Sequence, residues 1–441
     1  MLKAKAAFDN ASKCMEQLHA AELEACKRRD KTIDIIETGR KRLGFSIVDD
    51  AFFNLAHEDK HKAAPWFEKA VHPLREQVFV EAMNVHRAFL DVAARPIRHN
   101  LGALIGAMGG GDLGAPQKTA LLTELWATLF LVIPVISTTF ASVERMFRQI
   151  PPEAFGWLLI DEAGQALPPA AVGALMRSKR AIVVGDPLQI KPVVTLPSSL
   201  SESICHTLNI DPDRWNAPNA SVQTLADAAS KYVTEFQQEN GSRQVGAPLL
   251  VHRRCQDPMF SVSNRVAYSG LMVKATGKRD SPIREILGHS AWINIEGSAQ
   301  EKWSCEEGEQ VTQMLLRLAK AGVLNPDIFV VTPFRIVAHK LRERLRSETR
   351  IFEGSDMTPS EWVYNRVGTV HTVQGREADS VIMVLGAPLP NQAGARAWAG
   401  AQPNIVNVAV TRAKENLYIV GSKKAWSEAG HFKQLANTLN T

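Results

Sequence analysis

The sequence predicts an α/β protein in which two parallel-sheet domains follow a helical region. Two observations predict it. Residues 1 to about 105, as in MEQLHAAELEACKRRDK and KAVHPLREQVFVEAMNVHRAFLDVAAR, space apolar side chains three and four apart with charges between them, the periodicity of helices. From Trp157 the pattern changes to short continuous apolar runs, WLLI, AIVV, IFVV, SVIMVL and LYIV, bounded by polar or glycine-containing turns. Such runs suit strands buried on both faces, with helices crossing between them.

In chain order, residues 1–118 form the expected helical region. Its glycine-rich end GAMGGGDLGAP, Gly106 to Pro116, cannot continue a helix and marks a connector. Residues 119–200 are expected to hold the strands WLLI and AIVV, with PPAAVGALM as the helix crossing between them. Residues 201–248 are rich in Ser, Asn, Asp and Pro, lack a strong strand run, and are expected to be a linker. Residues 249–441 hold the remaining strands and form the second domain.

Composition bounds the partners and the compartment. The chain has 441 residues, 45% hydrophobic and 22% charged, which excludes wholesale disorder. Its net charge of +5 is compatible with a nucleic-acid partner. Cys14, Cys26, Cys205, Cys255 and Cys305 are scattered without a CxxC pair, which argues against a disulfide framework or zinc module and fits a reducing cytoplasm. The most apolar stretch, Ala120 to Ile136, carries Glu124 and ends at Pro134, so no membrane span is expected. The N-terminus lacks the apolar core of a secretory signal.

Two strand endings carry the chemistry. WLLIDEAGQ closes a strand on Asp161 and Glu162, and ligands of open α/β sheets bind beyond the carboxyl ends of strands. There Asp161 suits Mg²⁺, and Glu162 suits orienting and deprotonating a water. About one crossover helix later, AIVVGDPLQ offers Gly185 for a tight turn, Asp186 to anchor it, and Gln189 to reach a terminal phosphate or its attacking water.

With both motifs in place, the chain resembles a superfamily-one helicase of the up-frameshift-like branch, which also includes nuclease-linked DNA helicases. DEAGQ and GDPLQ resemble that family's second and third motifs. VISTTFASVERMF, LLVHRRC with SNRVAYSGLM, VVTPFR, VGTVHTVQGREADSVIMV and NVAVTRAKENLYIVG follow in the family's order. The resemblance covers roughly Pro134 to Ser422 and implies two RecA-like domains. It implies ATP and Mg²⁺ as cofactors, with hydrolysis coupled to movement along single-stranded DNA or RNA.

The resemblance also distributes roles. Arg253 and Arg412 would reach the γ-phosphate from the second domain. HRRC differs from the usual wording at His252 and Cys255, which leaves Arg253 and Arg254 as alternatives for the first of these. Gly185, Asp186, Gln374, Gly375 and Glu377 would lie at the nucleotide. Thr138, Thr139, Thr332, Arg335, Thr369, His371 and Thr372 would touch nucleic acid, through backbone contacts that position it rather than read its sequence. The basic run FRIVAHKLRERLRSETR is expected to be mainly a solvated helix face.

One part is missing from the pattern. The phosphate-cradling loop G-x-x-x-x-G-K-[ST] does not occur; in GGGDLGAPQKT, Asp112 and Gln117 occupy positions where it needs glycine. The expectation is therefore an incomplete first domain, with an open sheet edge and apolar surface. A separate polypeptide carrying the loop, or a truncated gene product, would explain it. ATP turnover by the chain alone should be very weak. The competing reading is a non-catalytic nucleic-acid-binding or interaction subunit. A dinucleotide enzyme fails for want of GxGxxG after a strand.

Overall fold

The computed structural model describes residues 2–43, 48, 50–64, 67, 69–110, 118–238, 241–373 and 375–439. The chain divides into two compact units, Met1–Ala93 and Ala94–Thr441. The first is helical, with helices Leu2–Leu43, Asp50–Phe53, His57–Lys62 and His72–Val92. In the last of these Pro73 sits in the first turn, where its missing N–H is not needed. The division falls at residue 93 rather than 118, so helix Ala94–Met108 belongs to the second unit and corrects the expected boundary.

The second unit begins with helices Ala94–Met108, Lys118–Val132 and Phe140–Phe147, which enclose Leu104, Leu125, Trp126, Val143, Phe147 and Ile150. The expected connector lies between the first two of these, and residues 111–117 fall outside the described residues. Two short strands follow, β1 (Leu158–Ile160) and β2 (Ala181–Val183), joined by the crossover helix Pro168–Met176 and paired in parallel with Leu158 opposite Ala181. This sheet has two strands, and Leu159, Ile182 and Val184 are 67%, 45% and 47% exposed.

The stretch expected to be a linker is structured. It contains helices Ser198–Thr207, Pro212–Trp215 and Val222–Ala229, then an antiparallel hairpin of β3 (Thr234–Gln238) and β4 (Gly241–Val245). Helix Val222–Ala229 opens with a capping box between Ser221 and Thr224. Its Val222 joins Ile160, Ala163 and Ala171 in one buried cluster, so this segment completes the first lobe. Polar composition concealed it: the helices are short, and the hairpin strands TEFQQ and GSRQV lack a continuous apolar run.

β5 (Val251–His252) and β6 (Val273–Lys274) form a small parallel pair. The second lobe is built on β7 (Ala291–Asn294), β8 (Ile328–Thr332), β9 (Val367–Thr369), β10 (Ala378–Val384) and β11 (Ala413–Gly421). These strands lie in the order β7-β11-β10-β8-β9, every neighbouring pair parallel. Its central strands β8, β10 and β11 are buried over nearly their whole length, as continuous apolar runs require. β7, partly exposed, was not among the expected strand runs, whereas the three-residue β9 ends at Thr369, where a strand end was expected. Among the described residues no helix is long and apolar enough to cross a membrane, and all five cysteines are free.

Candidate functional site

The two acidic residues stand where β1 ends. Glu162 adopts φ +53°, a left-handed conformation costly for a side chain with a Cβ, and its N–H donates to Asp161 Oδ1 at 2.9 Å. Gln165 Nε2 in turn donates to Glu162 Oε2 at 3.0 Å. Beside them, the turn after β2 approaches within backbone contact. A Cβ on Gly185 would stand 2.6 Å from the Gly164 nitrogen, and one on Gly164 would stand 2.8 Å from the Asp186 carbonyl oxygen. Both positions require glycine because the two turns pack main chain against main chain. Asp186 closes its own turn by accepting from the Leu188 N–H at 2.9 Å and from Gln189 Nε2 at 3.2 Å.

The second lobe grips this turn. Tyr268 donates its hydroxyl hydrogen to Asp186 Oδ2. Asn407 Nδ2 donates to the Tyr268 oxygen and to the Leu188 carbonyl, each at 3.0 Å, while Ser263 Oγ donates to Asn407 Oδ1 at 2.7 Å. Asn404 Nδ2 donates to the carbonyls of Pro187, at 3.3 Å, and Gln189. The next residue, Ile190, enters the apolar core of the second lobe. Burial, then the Asp186 carboxylate, raises the Tyr268 hydroxyl well above the usual phenol range, which keeps it a donor.

Asp161, Glu162, Gly185, Asp186 and Gln189 line one cleft of about 1230 Å³ with Arg253, Arg254 and Glu377. The two alternative arginines separate here. Arg254 Nε pairs with Glu377 Oε2 at 2.8 Å, and Lys414 Nζ holds the other carboxylate oxygen at 3.1 Å. Burial pushes the Glu377 carboxyl up, but the Lys414 hydrogen bond and the Arg254 and Lys414 charges hold it below the usual range. Arg253 is exposed in the cleft and makes no hydrogen bond or ion pair with any other described residue. The adjoining His252 accepts the Cys255 N–H on Nε2 at 2.9 Å, and burial with the Arg254 charge depresses its pKa to about 4.

Arg412, expected to reach the γ-phosphate from the second domain, is buried and bonded to protein groups. It is 2% exposed, and its Nη2 donates to Gln189 Oε1 at 3.3 Å while its Nη1 donates to the Arg376 carbonyl at 3.0 Å. Gln189 therefore stands against it. Burial and the Arg254 charge lower its pKa, while Glu162 is close enough to act in the opposite direction. Gly375 takes φ +74°, as a glycine turn allows; Gln374 lies outside the described residues.

The residues expected at nucleic acid divide between the lobes. Thr332 and Thr369 are register partners at the carboxyl ends of β8 and β9, next to Arg335, His371 and Thr372. Thr332 is fully buried and its Oγ1 accepts the Phe334 N–H at 3.3 Å, so its side chain shapes the turn and is not presented to a ligand, a correction to the expected contact. Arg335, His371 and Thr372 are exposed. Partial burial and the Arg335 charge lower the His371 pKa. In the first lobe Thr139 Oγ1 donates to Ser142 Oγ at 3.3 Å, and Thr138 Oγ1 donates to Met146 Sδ at 3.3 Å. The basic run forms helix Arg335–Ser347, where Arg344 pairs with Glu309 and Lys340 with Glu343, and Arg342 Nε donates to the Val367 carbonyl.

Tyr268, Asn404 and Asn407 had no assigned role in the sequence reading. Their partners lie 82 to 219 residues away, and no local pattern marks such pairs.

Comparison with known proteins follows the same division. Two family models, each described as AAA domain, match residues 125–196 and 234–424. The DNA replication ATP-dependent helicase/nuclease DNA2 of Gallus gallus is 26% identical over 293 residues, covering 65% of this chain and 25% of that protein. The 3'-5' exoribonuclease HELZ2 of Homo sapiens is 25% identical over 60% of this chain and 9% of its own length. RNA helicase Mov10l1 of Mus musculus is 26% identical over 65% of this chain and 24% of its own. The chain thus spans a quarter or less of these relatives. Among solved structures, the Arterivirus nonstructural protein 10 helicase with DNA aligns at 15% identity and a TM-score of 0.29, over 65% of this chain and 42% of that one.

Proposed function

Because the chain belongs to the superfamily-one helicases, in the branch of up-frameshift-like and DNA2-like enzymes, we propose that it forms the core of an ATP-dependent helicase or translocase acting on single-stranded DNA or RNA. One observation carries the reading: carboxylates from one lobe and, from the other, an arginine without an ion pair among the described residues line the same cleft.

The donor set suits the terminal phosphate of a nucleotide. Among the described residues no three His, Cys, Asp or Glu side chains converge on a metal position. Asp161 would therefore hold Mg²⁺ as one carboxylate beside the phosphates, an arrangement this ion favours. MgATP supplies the phosphoryl group and the energy of its transfer to water. Glu162, fixed by Gln165, orients and deprotonates the attacking water. Arg253, in no ion pair among the described residues, answers the charge on the γ-phosphate. Gln189 touches Arg412 and so links the phosphate end to the second lobe. Glu377, held by Arg254 and Lys414, would accept a hydrogen bond from a ribose hydroxyl or a phosphate-bound water. Arg335, Thr369, His371 and Thr372 meet the nucleic-acid backbone, joined by Thr138 and Thr139 from the first lobe.

The sequence contains no G-x-x-x-x-G-K-[ST] loop to cradle the β-phosphate. For this chain by itself that favours a second reading, a nucleic-acid-binding subunit without turnover. Steady-state ATP hydrolysis by the purified chain, with and without single-stranded oligonucleotide, tests the first. The expected result is very weak turnover, abolished by E162Q. Robust stimulated turnover would overturn the part of the account that makes the missing loop limiting.

A further inference from the structure

We propose that the indole of Trp398 is a stacking platform for one base of a single-stranded nucleic acid. The inference rests on the nucleic-acid reading above and adds to it a base-contacting residue outside the family-like motifs.

Trp398 lies on the short helix Ala393–Gly400, and it is 57% exposed although it packs on an aromatic neighbour. Its ring centroid is 6.1 Å from Phe334, with the planes inclined by 33°. Phe334 is itself fixed from behind. It is buried, its N–H donates to Thr332 Oγ1, and its centroid lies 6.2 Å from the fully buried Trp426. Trp426 Nε1 in turn donates to the Gly386 carbonyl at 2.8 Å. Three aromatic rings thus run from the core to the surface, and only the last is open to solvent.

The mount is rigid as well. Buried Arg396, two residues before Trp398, donates from Nη1 to the carbonyls of Ala387 and Leu389, both at 2.7 Å. An exposed ring held this way loses little conformational freedom when a base settles on it.

Position gives the ring its ligand. Phe334 directly precedes Arg335, and Lys302 Nζ lies 5.5 Å from the Phe334 ring centre. Arg335 lies close enough to His371 to lower its pKa, which joins the ring to the cluster at the carboxyl ends of β8 and β9. Cations that neutralise phosphates beside an aromatic face that takes a base are the two elements of sequence-independent single-strand binding.

The test is fluorescence anisotropy of the full chain with labelled oligothymidylate, oligouridylate and an abasic oligodeoxynucleotide of equal length. The unsubstituted chain should bind both base-bearing strands more tightly than the abasic one. W398A should weaken binding of the base-bearing strands about 5- to 100-fold and leave the abasic affinity unchanged. W398F should keep most of the preference, and R335A should weaken all three strands together. If W398A binds every strand like the unsubstituted chain, or weakens all three equally, Trp398 only covers Phe334 and the inference falls alone. If the unsubstituted chain binds none of the strands, the nucleic-acid reading falls and takes this inference with it.

Discussion

Arg253 and Arg254 are adjacent in sequence yet occupied differently. Arg254 is committed to Glu377, and Arg253 lines the cleft without a partner among the described residues. Replacing Arg253 should therefore cost ligand affinity with little effect on the fold, whereas replacing Arg254 releases Glu377 from one of its two cations. We expect R253A to reduce the preference for a triphosphate over a diphosphate nucleotide by about 10- to 100-fold, the worth of a charge-assisted hydrogen bond. Competition binding with ATP and ADP measures it; an unchanged preference would assign the γ-phosphate contact elsewhere. The sequence left both arginines open because their distinction depends on Glu377, more than a hundred residues downstream. Gly185, by contrast, was legible: a glycine after an apolar strand announces a tight turn, and the approach to Gly164 requires it.

At the scale of elements, the sheet of the second lobe was legible where its strands are buried on both faces, because burial forces continuous apolar runs such as IFVV and SVIMV. Segment 201–248 was not, since its helices are short and its hairpin polar. The helix Cys305–Lys320 carries a feature that only packing reveals. Glu307 is buried, its Oε2 accepts the Gly386 N–H at 2.8 Å, and its Oε1 has no hydrogen-bond partner among the described residues. Burial pushes its pKa up to about 8. In the folded state this carboxyl holds its proton through a range where the unfolded chain, near the ordinary 4.5, has released it. Its contribution to stability is complete below pH ~4.5 and is lost as pH rises towards ~8. E307Q should remove that loss, so the melting temperature of the unsubstituted chain should fall relative to E307Q between about pH 5 and 8. A constant gap across that range would mean that Glu307 is not protonated in the folded protein.

For the whole second unit, the two lobes are joined through the turn Asp186–Gln189. Tyr268, Asn404 and Asn407 hold its side chains and carbonyls, and Ile190 is seated in the second lobe's core. The strand end that carries Gln189 in the first lobe is thus held by the helix Asn404–Thr411, which leads into Arg412. Such a latch fixes the position of Gln189 against the second lobe. Asn407 is fully buried with three polar partners, so N407A should destabilise the unit by about 3 kcal/mol through unpaired buried groups. It should also speed amide exchange across residues 185–190; chemical denaturation and exchange mass spectrometry read the two effects, and unchanged exchange there would dissolve the latch. None of this network was visible in the sequence, because each contact joins residues far apart in the chain.

A triphosphate held between the lobes should touch both of them at once. Amide hydrogen exchange of the full chain, with and without millimolar MgATP, tests it most directly. A shared site should give simultaneous protection of residues 160–165, 185–190 and 252–254, lost in the E162Q and R253A double variant. Protection confined to one lobe, or no protection in any of the three segments, would contradict it.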